Sequence, residues 1–198
     1  MTPLRTLLRR WRHRLLLPAD CGMRTVPLYD DPAFARGAVS PDQARMLDAV
    51  LPRIRRGDRV LHVGIGCSDV ARRLPDHEVD GVTVLEEEIE VAVGLALPRY
   101  RVYLQDKYRA LDVPGDYAWI LDNNPGSYAC CRRHLHAYFR GCATALAPGG
   151  RMVTDVVGAG WVSRNGVPIS RREWEREGRR LGLVPETLAE GVWAWRRG

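Results

Sequence analysis

The sequence predicts an α/β protein with a doubly wound, mostly parallel sheet and helices on both faces. Three observations carry that expectation. Apolar runs of strand length alternate with helical patterns from residue 59 onward. The first run, RVLHV at 59–63, opens directly into a glycine turn, GIG at 64–66. The chain closes on two short runs joined by a turn, 183–187 and 191–196, which read as an antiparallel C-terminal edge.

The elements follow in order. Ser40, Pro41 and Asp42 spell an N-cap with proline at the first helical position, and start a helix over about 41–55. The alternation then gives strand 59–63, helix 67–74, strand 81–85, helix 86–97, strand 100–104, strand 117–121, helix 128–147 and strand 150–157. A charged helix spans Ser170 to Leu181, with Glu173 three positions after Ser170 in the spacing of a capping box.

Length and composition bound the rest. The 198 residues suit one domain with a sizeable core, and 45% hydrophobic with 27% charged residues is an ordinary globular balance. Apolar runs fall well short of the ~20 residues of a membrane span, so the expectation is a soluble, cytoplasmic protein. The five cysteines, at 21, 67, 130, 131 and 142, are read as forming no CxxC pair and no His/Cys metal spacing. Their odd number suits thiols in a reducing compartment, and no metal site is expected from them.

The net charge of +6 is unevenly placed. Residues 1–60 hold 12 Arg against 6 Asp, whereas the remainder holds 18 basic and 18 acidic side chains. Of the 30 basic residues 29 are Arg, a compositional bias that weakens any inference of nucleic-acid binding and makes Lys107, the one lysine, conspicuous. PLRTLLRRWRHRLLLP at 3–18 reads as a basic amphipathic helix, either a lid over the domain or a device that docks on a partner or an anionic membrane. Residues 1–40 are therefore expected to form a lid or docking segment, and 41–198 a single catalytic domain.

In an open parallel sheet, ligands bind beyond the carboxyl ends of the strands, near the point where strand order reverses. The predicted strand ends present His62-Val63-Gly64-Ile65-Gly66, then Glu86-Glu87-Glu88, then Gln105-Asp106-Lys107, then Asp122-Asn123-Asn124-Pro125. Gly64 and Gly66 allow the backbone to turn and approach a ligand closely. Glu86 lies 20 residues after Gly66, where an acid can accept hydrogen bonds from a ribose diol; equally, all three glutamates suit the first turn of a helix. Lys107 is either a partner for an anionic group on a substrate or an exposed loop lysine.

These motifs resemble those of the class I S-adenosylmethionine-dependent methyltransferases over roughly residues 41–157. VLHVGIGCS (60–68) is similar to the family's first motif, VTVLEEEIEVA (82–92) to its second, and VYLQD (102–106) to the segment whose acid contacts adenine. YAWILDN (117–123) followed by LAPGGRMVTD (146–155) resembles its fourth motif and fifth strand. The resemblance implies a seven-stranded Rossmann-like methyltransferase fold and S-adenosylmethionine as cofactor. It implies cofactor contacts from Gly64, Gly66, Glu86 with its neighbour Glu87, Asp106 and Asp122. Two positions depart from the pattern. His62 replaces an acid, and as a neutral ring could still accept a hydrogen bond; Ser68 replaces a third glycine, where its hydroxyl could contact the cofactor while capping the next helix.

DNNPGSY (122–128) is similar in part to the Asn-Pro-Pro-Tyr loop of amino-group methyltransferases, with Gly126 in place of the second proline. Asp122, Lys107 and Tyr128 are the candidate catalytic residues, with Tyr108, His134 and His136 further candidates. His134 and His136 stand two apart on a helix and cannot face the same way. The implied function is methyl transfer to a small-molecule acceptor, in specialised metabolism. The alternatives are the same fold running other chemistry, such as aminopropyl transfer, and a non-catalytic scaffold docking through its basic helix.

Overall fold

The computed structural model describes residues 39–109, 111–162 and 166–198. The basic helix expected at the N-terminus lies outside the described residues. Helix α1 (Pro41–Val50) starts as the sequence predicts, with the Ser40 hydroxyl accepting from the Gln43 N–H. It stops earlier, because Pro52 turns the last predicted residues into a single 3₁₀ turn, Leu51–Arg53. There follow β1 (Arg59–Val63), α2 (Asp69–Arg73), β2 (Glu78–Thr83), α3 (Glu86–Gly94), β3 (Tyr100–Leu104), β4 (Tyr117–Leu121), α4 (Arg132–Ala145) and β5 (Leu146–Asp155). The chain ends with α5 (Val156–Gly160), α6 (Arg171–Arg180), β6 (Leu183–Ala189) and β7 (Val192–Arg197).

The seven strands form one sheet in the order β3-β2-β1-β4-β5-β7-β6. The first five pair in parallel, and β7 pairs antiparallel with both β5 and β6. This is the predicted doubly wound sheet with its antiparallel C-terminal edge. Alternate residues of the central strands serve opposite faces. Leu61, Val63 and Ile120 pack with Leu135, Tyr138 and Phe139 of α4 and Trp174 of α6. Val60, Trp119 and Leu121 pack with Met46, Leu47 and Val50 of α1 and Val70 and Ala71 of α2. Burial on both faces explains why β1 and β4 read as nearly continuous apolar runs.

Several boundaries differ from the sequence prediction, β5 among them at Leu146–Asp155 rather than 150–157, and two of the differences have clear physical reasons. Strand β2 spans 78–83 rather than 81–85, because a charged residue, Asp80, occupies its fully buried centre. Arg59, Arg101 and Tyr117 neutralise and bond that carboxylate, which disguises the strand in the sequence. The strand ends where the Thr83 hydroxyl accepts from the Leu85 N–H, leaving Val84 exposed. Helix α4 starts at 132 rather than 128, since residues 122–131 form an extended loop over the carboxyl end of β4. Among the described residues, no helix is long and apolar enough to cross a membrane.

Candidate active site

Strand order reverses between β1 and β4, whose chains leave toward opposite edges of the sheet, so the crevice for a ligand lies beyond their carboxyl ends. The loop from β1 to α2 occupies that place. Gly64 and Gly66 both have positive φ, 76° and 49°, and nothing lies within 4 Å of a Cβ built on Gly64. The backbone there turns in a conformation that side-chain-bearing residues rarely adopt, and faces open space.

Ser68 adopts the same left-handed region, with φ 60°, at the start of α2. Its expected capping role is not met: the side chain makes no capping hydrogen bond, and the fully buried hydroxyl instead accepts from the Tyr100 hydroxyl at 3.0 Å. Burial pushes the Tyr100 phenol up to about 12, so it remains a donor. Ser68 thus holds the glycine loop to β3 from beneath.

Glu86 and Glu87 lie exposed in the first turn of α3, three and four residues beyond the end of β2. The carboxylate at the loop belongs to Glu88, which the sequence reading passed over. Its side chain is buried and accepts from the Thr83 hydroxyl at 2.5 Å, and the nearby Gly66 N–H favours its charged form. Burial raises its pKa, and Thr83 and the Gly66 N–H oppose the rise. A helical periodicity argument from buried Ala92 would have found it, since positions 88 and 92 share a helix face.

His62 sits on the α1 and α2 face of the sheet, 1% exposed, with its Nδ1 unpartnered among the described residues. Burial pushes its pKa down to about 4, so the ring is neutral near pH 7. Two sequence neighbours at the end of β4 diverge by the same alternation. Asn123 turns to the α1 face and donates to Asp42 at 2.6 Å; Asp122 turns to the α4 face.

The structure brings Asp122 and Lys107 together. Lys107 Nζ donates to Asp122 Oδ2 at 2.6 Å and to the Asn124 carbonyl at 3.1 Å, and the ammonium lies about 5 Å from the ring centres of Tyr108 and Tyr138. Tyr138 donates to the same Asp122 oxygen at 2.5 Å, and the Asn124 N–H donates to the other. Burial works against the lysine charge, but the Asp122 carboxylate outweighs it and leaves the lysine pKa raised. Lys107 is therefore neither an exposed loop lysine nor aimed outward at a substrate. It fixes the exit of β4 from within.

Asp106 stays on the rim after β3, half-buried, accepting from the Tyr108 N–H and lying 3.4 Å from Arg109 Nε. Tyr108 is buried, its hydroxyl donating to the Pro125 carbonyl. Tyr128 packs edge-on against Trp161 at 6.0 Å, two rings supplied by the loops after β4 and after α5. Gly126, at the departure from the Asn-Pro-Pro-Tyr pattern, accepts from the Val167 N–H, and a Cβ there would lie 2.0 Å from the Val167 carbonyl oxygen. The loop's own pairing thus excludes a proline. His134 and His136 diverge as expected, His134 toward Cys130 and His136 toward Glu177.

Solved structures share this architecture. The N-methyltransferase NodS from Bradyrhizobium japonicum superimposes with a TM-score of 0.61 at 13% identity, over 78% of this chain and 93% of that one. The sugar N-methyltransferase KedS8 from a Streptoalloteichus species gives 0.59 at 16% identity, over 85% and 88%. The 1,6-didemethyltoxoflavin-N1-methyltransferase of Burkholderia thailandensis, solved with its acceptor and S-adenosylhomocysteine, gives 0.56 at 18% identity, over 78% and 75%. No protein-family profile matches the sequence, and no curated protein matches it. The chain has the Rossmann-like fold of the class I methyltransferases.

Proposed function

We propose that this protein is an S-adenosylmethionine-dependent methyltransferase acting on a small-molecule acceptor of specialised metabolism. The observation that carries the reading is the glycine loop at the switch point, open above Gly64 and braced below by Ser68–Tyr100 and Glu88. The unpartnered, neutral His62 Nδ1 fits a cationic amino-acid portion, because a neutral ring nitrogen can accept a hydrogen bond there. Three of the neighbours in fold are named as N-methyltransferases.

The cofactor's sulfonium supplies an already activated methyl group, so the chain mainly has to align the acceptor and exclude water. Gly64 and Gly66 admit the cofactor to the backbone. Asp106 faces the adenine side from the β3 rim, and Glu88 keeps the loop in register with α3. Lys107 and Tyr138 hold Asp122 and thereby fix the floor of the acceptor side, which makes them positioning residues. Tyr128 with Trp161 forms an aromatic wall against which a planar or apolar acceptor stacks.

Calorimetry with S-adenosylhomocysteine tests the reading. Binding in a one-to-one ratio is expected, and Asp106→Asn, which can still accept from the Tyr108 N–H, should weaken it several-fold while leaving the thermal transition of the ligand-free protein within a few degrees. No detectable binding by the wild-type protein would reject it. Incubation of S-adenosylmethionine with candidate acceptors should give a product heavier by one methylene equivalent.

A further inference from the structure

Cys130 and Cys131 stand immediately before α4, and Cys131 is its N-cap, in extended conformation with φ −167° and ψ 165°. His134 is the third residue of the helix. Helical side chains lean toward the N-terminus, so the imidazole at this position returns over the cap, as the glutamate of a capping box does. The result is a convergence of soft donors: His134 Nδ1 lies 2.9 Å from Cys130 Sγ and 3.4 Å from Cys131 Sγ, and the two sulfurs are 4.0 Å apart. All three donor atoms fall within 4.8 Å of one another.

Those separations are close to what a tetrahedral zinc-class ion imposes. Zn–S bonds of about 2.3 Å and Zn–N bonds of about 2.0–2.1 Å place two sulfurs about 3.8 Å apart and a sulfur and a nitrogen about 3.6 Å apart. The Cys131 pair needs almost no movement, and the Cys130 pair opens by less than about 1 Å, within reach of side-chain rotation. The electrostatics agree. The first turn of α4 carries no acidic residue, and the unsatisfied N–H groups of a helix start favour thiolates. His134 is only 7% exposed, so its ring is held in place by packing.

We propose that Cys130, Cys131 and His134 form a binding site for one thiophilic cation of the zinc class, held by two thiolates and His134 Nδ1, with a fourth position for water or an external ligand. Binding releases two thiol protons to the buffer and changes no oxidation state. The expectation from sequence that the cysteines offered no metal site rested on the absence of CxxC and of any His/Cys metal spacing; the fold supplies the nucleus of one by setting Cys-Cys-x-x-His across a helix start. The ion would pin the far end of the 122–131 loop to α4. The inference stands independently of the cofactor reading.

The test uses the full chain, reduced and stripped of metal, titrated with Co²⁺ as a spectroscopic probe. One equivalent should produce a thiolate-to-cobalt charge-transfer band with the ligand-field bands of a tetrahedral ion, both displaced by Zn²⁺. The double variant Cys130→Ser with Cys131→Ser should lose the charge-transfer band, while Cys67→Ser and Cys142→Ser keep it. His134→Gln should keep the thiolate band and alter the ligand-field bands. Thermal transitions without metal establish that each variant folds, and Zn²⁺ should raise the transition of the wild type, Cys67→Ser and Cys142→Ser but not that of the double variant. Absence of the band in the wild type, its persistence in the double variant, or unchanged ligand-field bands in His134→Gln would each overturn the assignment.

Discussion

Two buried carboxylates, one in the middle of β2 and one just beyond β4, are neutralised in contrasting ways. Asp80 accepts from Arg59 at 2.7 Å, Arg101 at 2.9 Å and the Tyr117 hydroxyl at 2.6 Å. Its arginines also lie 3.4 and 3.7 Å from Glu78, and Arg101 is half exposed, so the cluster is shared and open to solvent on one side. Among the described residues Asp122 relies on one cation, Lys107, with the Tyr138 hydroxyl beside it. The difference teaches where redundancy was available. A compact ammonium on a long stem fits between Asp122, the Asn124 carbonyl and two tyrosine rings, a space ill suited to the planar fork of a guanidinium. That accounts for a lone lysine in an otherwise arginine-based sequence.

The contrast can be broken most forcefully at Lys107. Lys107→Met should cost about 3–5 kcal/mol in urea unfolding, because it leaves a buried carboxylate unpaired. Combining it with Asp122→Leu should restore most of that loss, which a structural role of the lysine stem alone would not. The next effect appears in acid. His62, buried and neutral, has a folded pKa of about 4 against an ordinary 6.5. Its stabilising balance is complete above about pH 6.5 and is lost as pH falls through about 4, by about 3 kcal/mol. Comparing pH-dependent unfolding of the wild type with His62→Asn should show that share of the slope missing from the variant.

Asp80→Asn is expected to cost about 2 kcal/mol, less than Lys107→Met, since Arg59 and Arg101 keep Glu78 and access to water. Arg101→Gln should cost under about 1 kcal/mol in thermal unfolding, because its pair is half solvated and Arg59 remains. A reversal of this order between Lys107→Met and Asp80→Asn would mean that the two clusters are equivalent after all.

Most of the sheet was legible because its strands are bounded by physical punctuation. RVLHV, YRVYL and YAWIL were read to their observed limits, and Ser170 with Glu173 announced α6 through a capping box that forms as spelled. What was hidden depends on contacts far apart in sequence. Asp80 conceals β2 because its neutralising partners are 21, 21 and 37 residues away. Lys107 was noticed as rare, but its partner, 15 residues on, appears only when the chain after β3 crosses back past β2 and β1 to the carboxyl end of β4. Ser68 seemed a cap by type, yet a left-handed backbone turns its hydroxyl inward to Tyr100. Cys131 and His134 repeat the spacing of Ser170 and Glu173, with residues that capping rules do not read. The two helix starts even touch, through Arg132 and Glu173 at 2.6 Å.

Trp174 of α6 and Trp195 of β7 stack with ring centres 3.8 Å apart and planes 16° from parallel, both fully enclosed, with the Trp195 indole N–H held by the Trp174 carbonyl. Two indoles so close and so fixed are electronically coupled, which gives the protein an optical signature of its own. Their transitions should split into a paired circular-dichroism signal in the ultraviolet that neither ring produces alone. Because one ring rides on a helix and the other on the antiparallel edge, loss of that couplet would time the separation of those two elements without any added label.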